Sequence, residues 1–232
     1  MKIVIATIKS WNIAYAKELQ KKYEGIHEVL ILTRKQELTV EALEAFNPDV
    51  VFLPHWSYLI SEEITDRWNC VVFHMTDLPF GRGGSPLQNL IVRGYKETKI
   101  SAIQVTKKLD AGPVYMKHPL SLEGSAAEIL ERCSEVIFHE MIPVFLEKKP
   151  QPVPQEGEPV IFKRRTPAQG EIKSDMTLEQ IYDYIRMLDA EGYPRAFIPF
   201  GNYEMKFESA HMDADGKQVE AKVIFIRKED EK

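Results

Sequence analysis

Apolar residues in the first half of the chain fall into short continuous runs, each followed by a stretch with helical spacing. Ile3 to Ile8 carries no charge, as expected of a strand covered on both faces. His27–Thr33, Asp49–Pro54 and Cys70–Phe73 repeat the pattern. Between them, residues near Tyr15–Tyr23, Thr39–Phe46 and Ser61–Trp68 follow a helical rhythm. Thr39 suits an N-cap, and Glu41 and Glu44 suit the early turns of its helix. This alternation predicts an α/β fold with a mostly parallel sheet between helix layers.

The rhythm breaks at Thr76–Pro86, where Asp77, Pro79, Gly81, Gly83, Gly84, Ser85 and Pro86 crowd together. A helix is expected from Pro86, with Ser85 as its N-cap. Ile100–Val105 reads as another strand, ended by the turn Leu109-Asp110-Ala111-Gly112-Pro113. Ser125 and Glu128 form a capping box for a long helix, which Pro143 should kink or end. Lys148–Gly157, rich in Pro, Lys, Gln and Glu, reads as a connector. The expected division is a main domain over 1–150 and a small α+β appendage over 151–232. Thr177 and Gln180 cap a helix in the appendage. A hairpin is expected from Tyr203–Phe207, a turn at Asp215-Gly216, and Val223–Ile226. Arg227–Lys232 reads as a charged, frayed tail.

Composition narrows the function. The 232 residues carry a formal net charge of −5, so a nucleic-acid partner gains nothing from a global positive field. Two cysteines, Cys70 and Cys133, are too few for a disulfide framework and read as buried thiols. No Cys/His cluster suggests a metal. No apolar run reaches membrane-spanning length, and the N-terminal run is too short for a signal peptide. A cytoplasmic protein with no membrane partner is expected.

The densest chemistry lies in Phe73-His74-Met75-Thr76-Asp77-Leu78-Pro79-Phe80-Gly81-Arg82-Gly83-Gly84-Ser85-Pro86. A buried strand ends in a histidine, and a glycine-rich loop then leads to a helix. Ligands of open α/β sheets bind beyond the carboxyl ends of strands. His74 should occupy one such end and Asp110 another. Neighbouring strands would bring imidazole and carboxylate into one cleft, where a protonated ring can hold a developing oxyanion. Structurally, His74 could equally be a satisfied core residue, and Asp110 a turn former.

The stretch from His74 resembles the His-x-Ser-Leu-Leu-Pro-x-x-x-Gly signature of the folate-dependent formyltransferases. Glu97-Thr98, Ile103-Gln104 and Leu109-Asp110-Ala111-Gly112-Pro113 resemble that family's second block. The resemblance runs from the first strand to the helix ending near Glu147. It implies a Rossmann-like domain, N10-formyltetrahydrofolate as co-substrate, and a catalytic Asn-His-Asp trio. His and Asp carry over to His74 and Asp110. The Asn does not: Val72 stands there, with Asn89 or Gln88 as weak candidates to replace it.

By the same resemblance, Trp56, Tyr58, Leu59, Thr106, Lys107 and Leu109 lie near the folate. Lys9, Trp11, Asn12, Arg82, Gly83, Gly84 and Ser85 are the candidates for substrate. The Gly-Gly-Ser-Pro-Leu-Gln-Asn form of the loop looks like that of enzymes acting on nucleotide-linked amino sugars, as does Phe162-Lys163-Arg164-Arg165-Thr166-Pro167. The expected acceptor is therefore a nucleotide-linked amino sugar, with a UDP-linked 4-amino sugar of the pseudaminic-acid type favoured. The alternatives are a formyl-folate hydrolase and a folate- or nucleotide-sugar-binding module that has lost turnover at Val72. A homodimer through the C-terminal unit is left open.

Overall fold

Alternate residues of the central strands point to opposite sides, and each side is buried. The computed structural model describes residues 1–227; the expected charged tail lies outside them from residue 228 onward. Val4, Ala6, Val51 and Leu53 form one apolar cluster with Leu32, Leu43, Ile64, Trp68 and Cys70. On the other side Phe52 meets Phe73 at 6.2 Å and Phe145 at 5.1 Å between ring centroids. A strand covered on both faces has no polar position to spare, which is why these runs are continuous in the sequence.

The first four strands are β1 (Lys2–Ala6), β2 (Glu28–Leu32), β3 (Val50–Leu53) and β4 (Cys70–His74). They alternate with α1 (Ser10–Lys22), α2 (Val40–Phe46) and α3 (Glu62–Arg67). Thr39 caps α2 as expected, its Oγ1 accepting the Ala42 N–H at 3.2 Å. Then come β5 (Phe80–Gly83), α4 (Pro86–Ile91), β6 (Glu97–Gln104) and β7 (Val114–Ser121). The six-stranded sheet has the order β2-β1-β3-β4-β6-β7. Neighbours from β2 to β4 are parallel, and β6 is antiparallel to β4, with Val71 opposite Gln104 and His74 opposite Ser101. The mostly parallel α/β fold thus appears as the alternation predicts.

The antiparallel β6 changes one expectation. Its carboxyl end lies beside the amino end of β4, so the carboxyl ends of the two strands point apart. Asp110 is not at a strand end. It sits in the turn between β6 and β7, with a left-handed φ of 50°. The turn folds back tightly at Gly112, where an added Cβ would lie 1.7 Å from the Gln104 carbonyl oxygen. The Gln104 N–H donates to the Pro113 carbonyl at 3.0 Å and closes the turn.

The long helix also differs. α5 (Ala126–Val136) starts with the expected box, the Ser125 N–H donating to Glu128 at 2.7 Å. Pro143 does not end it. One π turn (Ile137–Met141) leads into α6 (Ile142–Lys148), with Pro143 in the first turn of that segment. A proline there loses no intrahelical bond that the turn cannot absorb. Trp11 and Asn12 belong to the first turn of α1.

The chain forms two compact units. One comprises 1–83, 98–120 and 131–161; the other comprises 84–97, 121–130 and 162 onward. Besides β8 (Val160–Phe162), the C-terminal part contains α7 (Leu178–Arg186), β9 (Ala196–Phe200), β10 (Tyr203–Met212) and β11 (Val219–Arg227). Thr177 and Gln180 cap α7, and β10–β11 make the expected hairpin; β9 joins it as a third strand. Among the described residues, no helix is long and apolar enough to cross a membrane.

Two tests follow from this packing. Gly112→Ala should cost about 1–3 kcal/mol, the usual range for overpacking, read as a melting temperature several degrees lower. An unchanged melting temperature would mean that the turn does not fold back as described. The second test concerns His55, which follows β3 with φ 51° and has Nε2 3.5 Å from Cys133 Sγ. Burial, aided by the Lys9 charge, pushes its pKa from the ordinary 6.5 down to about 4. Between those values the unfolded state binds more protons, so stability rises with pH. The contribution is complete above pH 6.5 and is lost as pH falls towards 4, amounting to roughly 3 kcal/mol at most. His55→Phe should therefore flatten part of the acid loss of melting temperature between pH 6.5 and 4; an identical slope would contradict it.

Candidate functional site

β4 delivers His74 to the edge of a cavity of about 350 Å³ on the side of the sheet that carries α3. Leu53, Val72 and Ile103 give the cavity an apolar floor, and Glu62 and Thr65 of α3 form part of its wall. All six residues expected near the folate line it: Trp56, Tyr58, Leu59, Thr106, Lys107 and Leu109. Tyr58, Leu59 and Leu109 remain substantially exposed, and a Lys107–Glu62 ion pair of 2.8 Å sits in the same wall. Volume, apolar floor and polar backbone edges fall within the range of small-molecule sites.

His74 and Asp110 meet in this wall. Their side chains are 10% and 13% exposed, with Nδ1 3.7 Å from Oδ2. His74 Nε2 lies 2.8 Å from the Gly81 carbonyl. A carbonyl can only accept, so Nε2 carries a hydrogen. Nδ1 faces a carboxylate, another acceptor, so only the doubly protonated ring donates in both directions. Asp110 Oδ2 also accepts the Gly83 N–H at 2.9 Å.

The residues expected around a substrate are scattered in role. Gly83 holds the Asp110 carboxylate. Arg82 is committed elsewhere, its Nε and Nη2 donating to Gln155 Oε1 at 3.0 and 2.8 Å. Lys9 precedes α1 and lies 5.6 Å from the Trp11 ring. Asn12 is fully buried, and its Nδ2 donates to Thr7 Oγ1 and the Pro54 carbonyl, which leaves that group no ligand to reach. Gly84 has no room for a side chain, since an added Cβ would lie 2.7 Å from Arg164 Cβ. Ser85 does not cap α4 through its side chain; its Oγ accepts the Arg165 N–H at 3.0 Å.

Neither candidate for the missing amide is available. Asn89 Nδ2 donates to the Gly84, Ser85 and Lys163 carbonyls, and its Oδ1 accepts from Arg93. Gln88 Nε2 donates to the Met187 carbonyl. Val72 itself forms part of the cavity floor. The residue that sequence reading missed is Gln155, in the stretch read as a connector. Its Nε2 donates to the carbonyls of Asp110 and Gly112 at 2.9 and 2.8 Å.

Comparisons with known proteins agree with this architecture. A family model described as formyl transferase matches residues 13–136, and one described as the C-terminal domain of methionyl-tRNA formyltransferase matches 167–226. A solved structure named methionyl-tRNA formyltransferase, from Clostridium thermocellum, is 53% identical, covers 98% of this chain and 100% of its own, and has a TM-score of 0.95. HypX from Aquifex aeolicus in complex with tetrahydrofolic acid shares the fold at 20% identity and TM-score 0.74, over 92% of this chain and 38% of its own. A 4-N formyltransferase from Francisella tularensis shares it at 15% identity and TM-score 0.68, over 100% and 98% of the two chains. The methionyl-tRNA formyltransferase of Lactobacillus acidophilus is 28% identical over 67% of this chain, which spans about half (51%) of that relative's length. By the reach of the family match and the close likeness over the full chain, the protein belongs to the formyl transferase family.

Proposed function

We propose that this protein transfers a formyl group from N10-formyltetrahydrofolate to the amine of a nucleotide-linked amino sugar, with His74 and Asp110 as its catalytic residues. The observation that carries the reading is the His74–Asp110 pair in the wall of a cavity of about 350 Å³. When bound, N10-formyltetrahydrofolate supplies an activated formyl carbon. The chain supplies the rest. Leu53, Val72 and Ile103 give an apolar floor for a flat ring, and Trp56, Tyr58, Leu59, Thr106, Lys107 and Leu109 also line the cavity. A protonated His74 donates a hydrogen bond to the oxyanion that forms as the amine attacks. Asp110 would keep the ring oriented and take a proton from the attacking nitrogen, and that proton would pass to the folate N10 as its bond to the formyl carbon breaks.

The acceptor is argued from charge. Residues 167–226, the segment matching the tRNA-enzyme C-terminal domain, hold six Lys or Arg against eleven Asp or Glu, a net of −5. Several of its cations are already paired: Lys222 and Arg195 with Glu208, Lys206 with Glu204, Lys217 with Asp215, Arg186 with Asp183. Affinity for a polynucleotide depends on unpaired cations that displace counterions from phosphates, and this segment opposes it. A compact nucleotide sugar needs only a local phosphate contact. A methionyl-tRNA acceptor is the second reading, favoured by the name of the Clostridium thermocellum protein at 53% identity.

Incubation with N10-formyltetrahydrofolate and either UDP- and dTDP-linked 4-amino sugars or methionyl-tRNA decides between them by mass. A sugar product heavier by one formyl group supports the first reading; formylation of methionyl-tRNA alone replaces it with the second. Formate released without any acceptor product would point to a hydrolase. His74→Ala and Asp110→Ala should each lower kcat by roughly a hundred- to a thousand-fold, with folate binding within a few-fold of the parent. Near-parental turnover in either variant removes that residue from the chemistry.

A further inference from the structure

We propose that Gln155 is a positioning residue which, together with Arg82, holds the Asp110 carboxylate against His74. The inference rests on the catalytic reading of Asp110 above. The Gln155 carboxamide uses both ends. Its Nε2 donates to two carbonyls of the returning turn, Asp110 at 2.9 Å and Gly112 at 2.8 Å. Its Oε1 takes both prongs of the Arg82 fork. A flipped amide would set N–H groups against a guanidinium that can only donate, so the orientation is fixed by chemistry.

Arg82 adjoins Gly83, whose N–H holds Asp110 Oδ2 at 2.9 Å. The bonds therefore close a ring: Asp110 carboxylate to Gly83, along the chain to Arg82, across to Gln155, and back to the Asp110 carbonyl. Asp110 is gripped at both its side chain and its main chain, as a non-glycine residue in the left-handed region needs if it is to stay there. The segment carrying Gln155 is itself anchored, since Val153 exchanges two backbone hydrogen bonds with Val114 at 2.7 and 2.9 Å. Neither Gln155 nor Arg82 lines the cavity, so both act through Asp110 and not on the ligand. The Arg82 guanidinium thereby has a positioning role in place of the substrate contact expected for it.

Steady-state kinetics of the full chain, with N10-formyltetrahydrofolate and whichever acceptor the parent formylates (a UDP- or dTDP-linked 4-amino sugar or methionyl-tRNA), tests the proposal in four variants. Gln155→Met keeps the length and removes every hydrogen bond. It should lower kcat about ten- to a hundred-fold, the scale of a small misplacement of a catalytic group, with KM for the folate within threefold. Gln155→Glu keeps the acceptor for Arg82 but opposes the two carbonyls. It should retain the melting temperature while losing kcat as Gln155→Met does. Adding Arg82→Met to Gln155→Met should cost little more, since the two share one network. A folded Gln155→Met or Gln155→Glu with kcat within twofold of the parent overturns the proposal, as does a rise in folate KM alone. Asp110→Asn in parallel separates the two ideas. Full turnover there defeats the catalytic reading of Asp110, whereas a dead Asp110→Asn beside an active Gln155→Met defeats only the role of Gln155.

Discussion

The pairing of His74 with Asp110 depends on one close approach: Gly112 against the Gln104 carbonyl. Because β6 runs antiparallel to β4, the chain leaves β6 at the end of the sheet opposite His74. It must double back to return a carboxylate. A side chain at 112 would collide with the main chain it folds against, so only glycine permits so tight a return. The left-handed backbone at Asp110 completes the reversal, at a strain of about 1–2 kcal/mol for an L-residue. Asp tolerates this conformation better than most residues. Its carboxylate is held here by the Gly83 N–H, 27 residues away in the chain.

The electrostatics follow from that geometry. Both nitrogens of His74 face acceptors, one a carbonyl at 2.8 Å and the other a carboxylate at 3.7 Å. The carbonyl fixes the ring plane at a distance typical of a good hydrogen bond. The carboxylate stands slightly beyond that range, close enough for charge attraction and loose enough to exchange partners. With Nε2 held by the carbonyl, Nδ1 is the donor left for a ligand, and the loosely paired carboxylate beside it need not be displaced by a rebuilt backbone. The small exposure of both side chains strengthens each interaction, since little water screens it.

What the sequence made legible, it made legible locally. His74, the glycine-rich loop and the Asp110 turn are contiguous motifs, and the caps at Thr39, Ser125 and Thr177 obey short-range rules. The direction of β6 was not legible, because a buried strand has the same apolar run whether its neighbour is parallel or antiparallel. Nor was the role of Gln155. Its bonds run to main-chain carbonyls 43 and 45 residues away, and a main-chain acceptor leaves no trace in residue type. The partner of Arg82 was hidden for a related reason: Gln155 lies in a stretch with no periodicity. Nor do the bonds of the Asn12 Nδ2, to Thr7 Oγ1 and the Pro54 carbonyl, show in the residue pattern.

Val72 gives this network its weight. An amide at that position would offer the formyl oxygen a second hydrogen-bond donor; a valine offers an apolar floor beside Leu53 and Ile103. Asn89 Nδ2 donates to three main-chain carbonyls and Gln88 Nε2 to one, and neither amide can be redirected without unmaking those bonds. With one donor fewer, the proposed stabilisation of an oxyanion would rest more heavily on a single imidazole. A lone donor contributes only where it is aimed correctly, since hydrogen bonds weaken steeply with misalignment. The aim of His74 depends on Asp110, and the place of Asp110 depends on Gly83, Gln155 and Arg82. On the proposed chemistry, the apolar residue on the cavity floor thus shifts the demand for precision onto Gly83, Gln155 and Arg82.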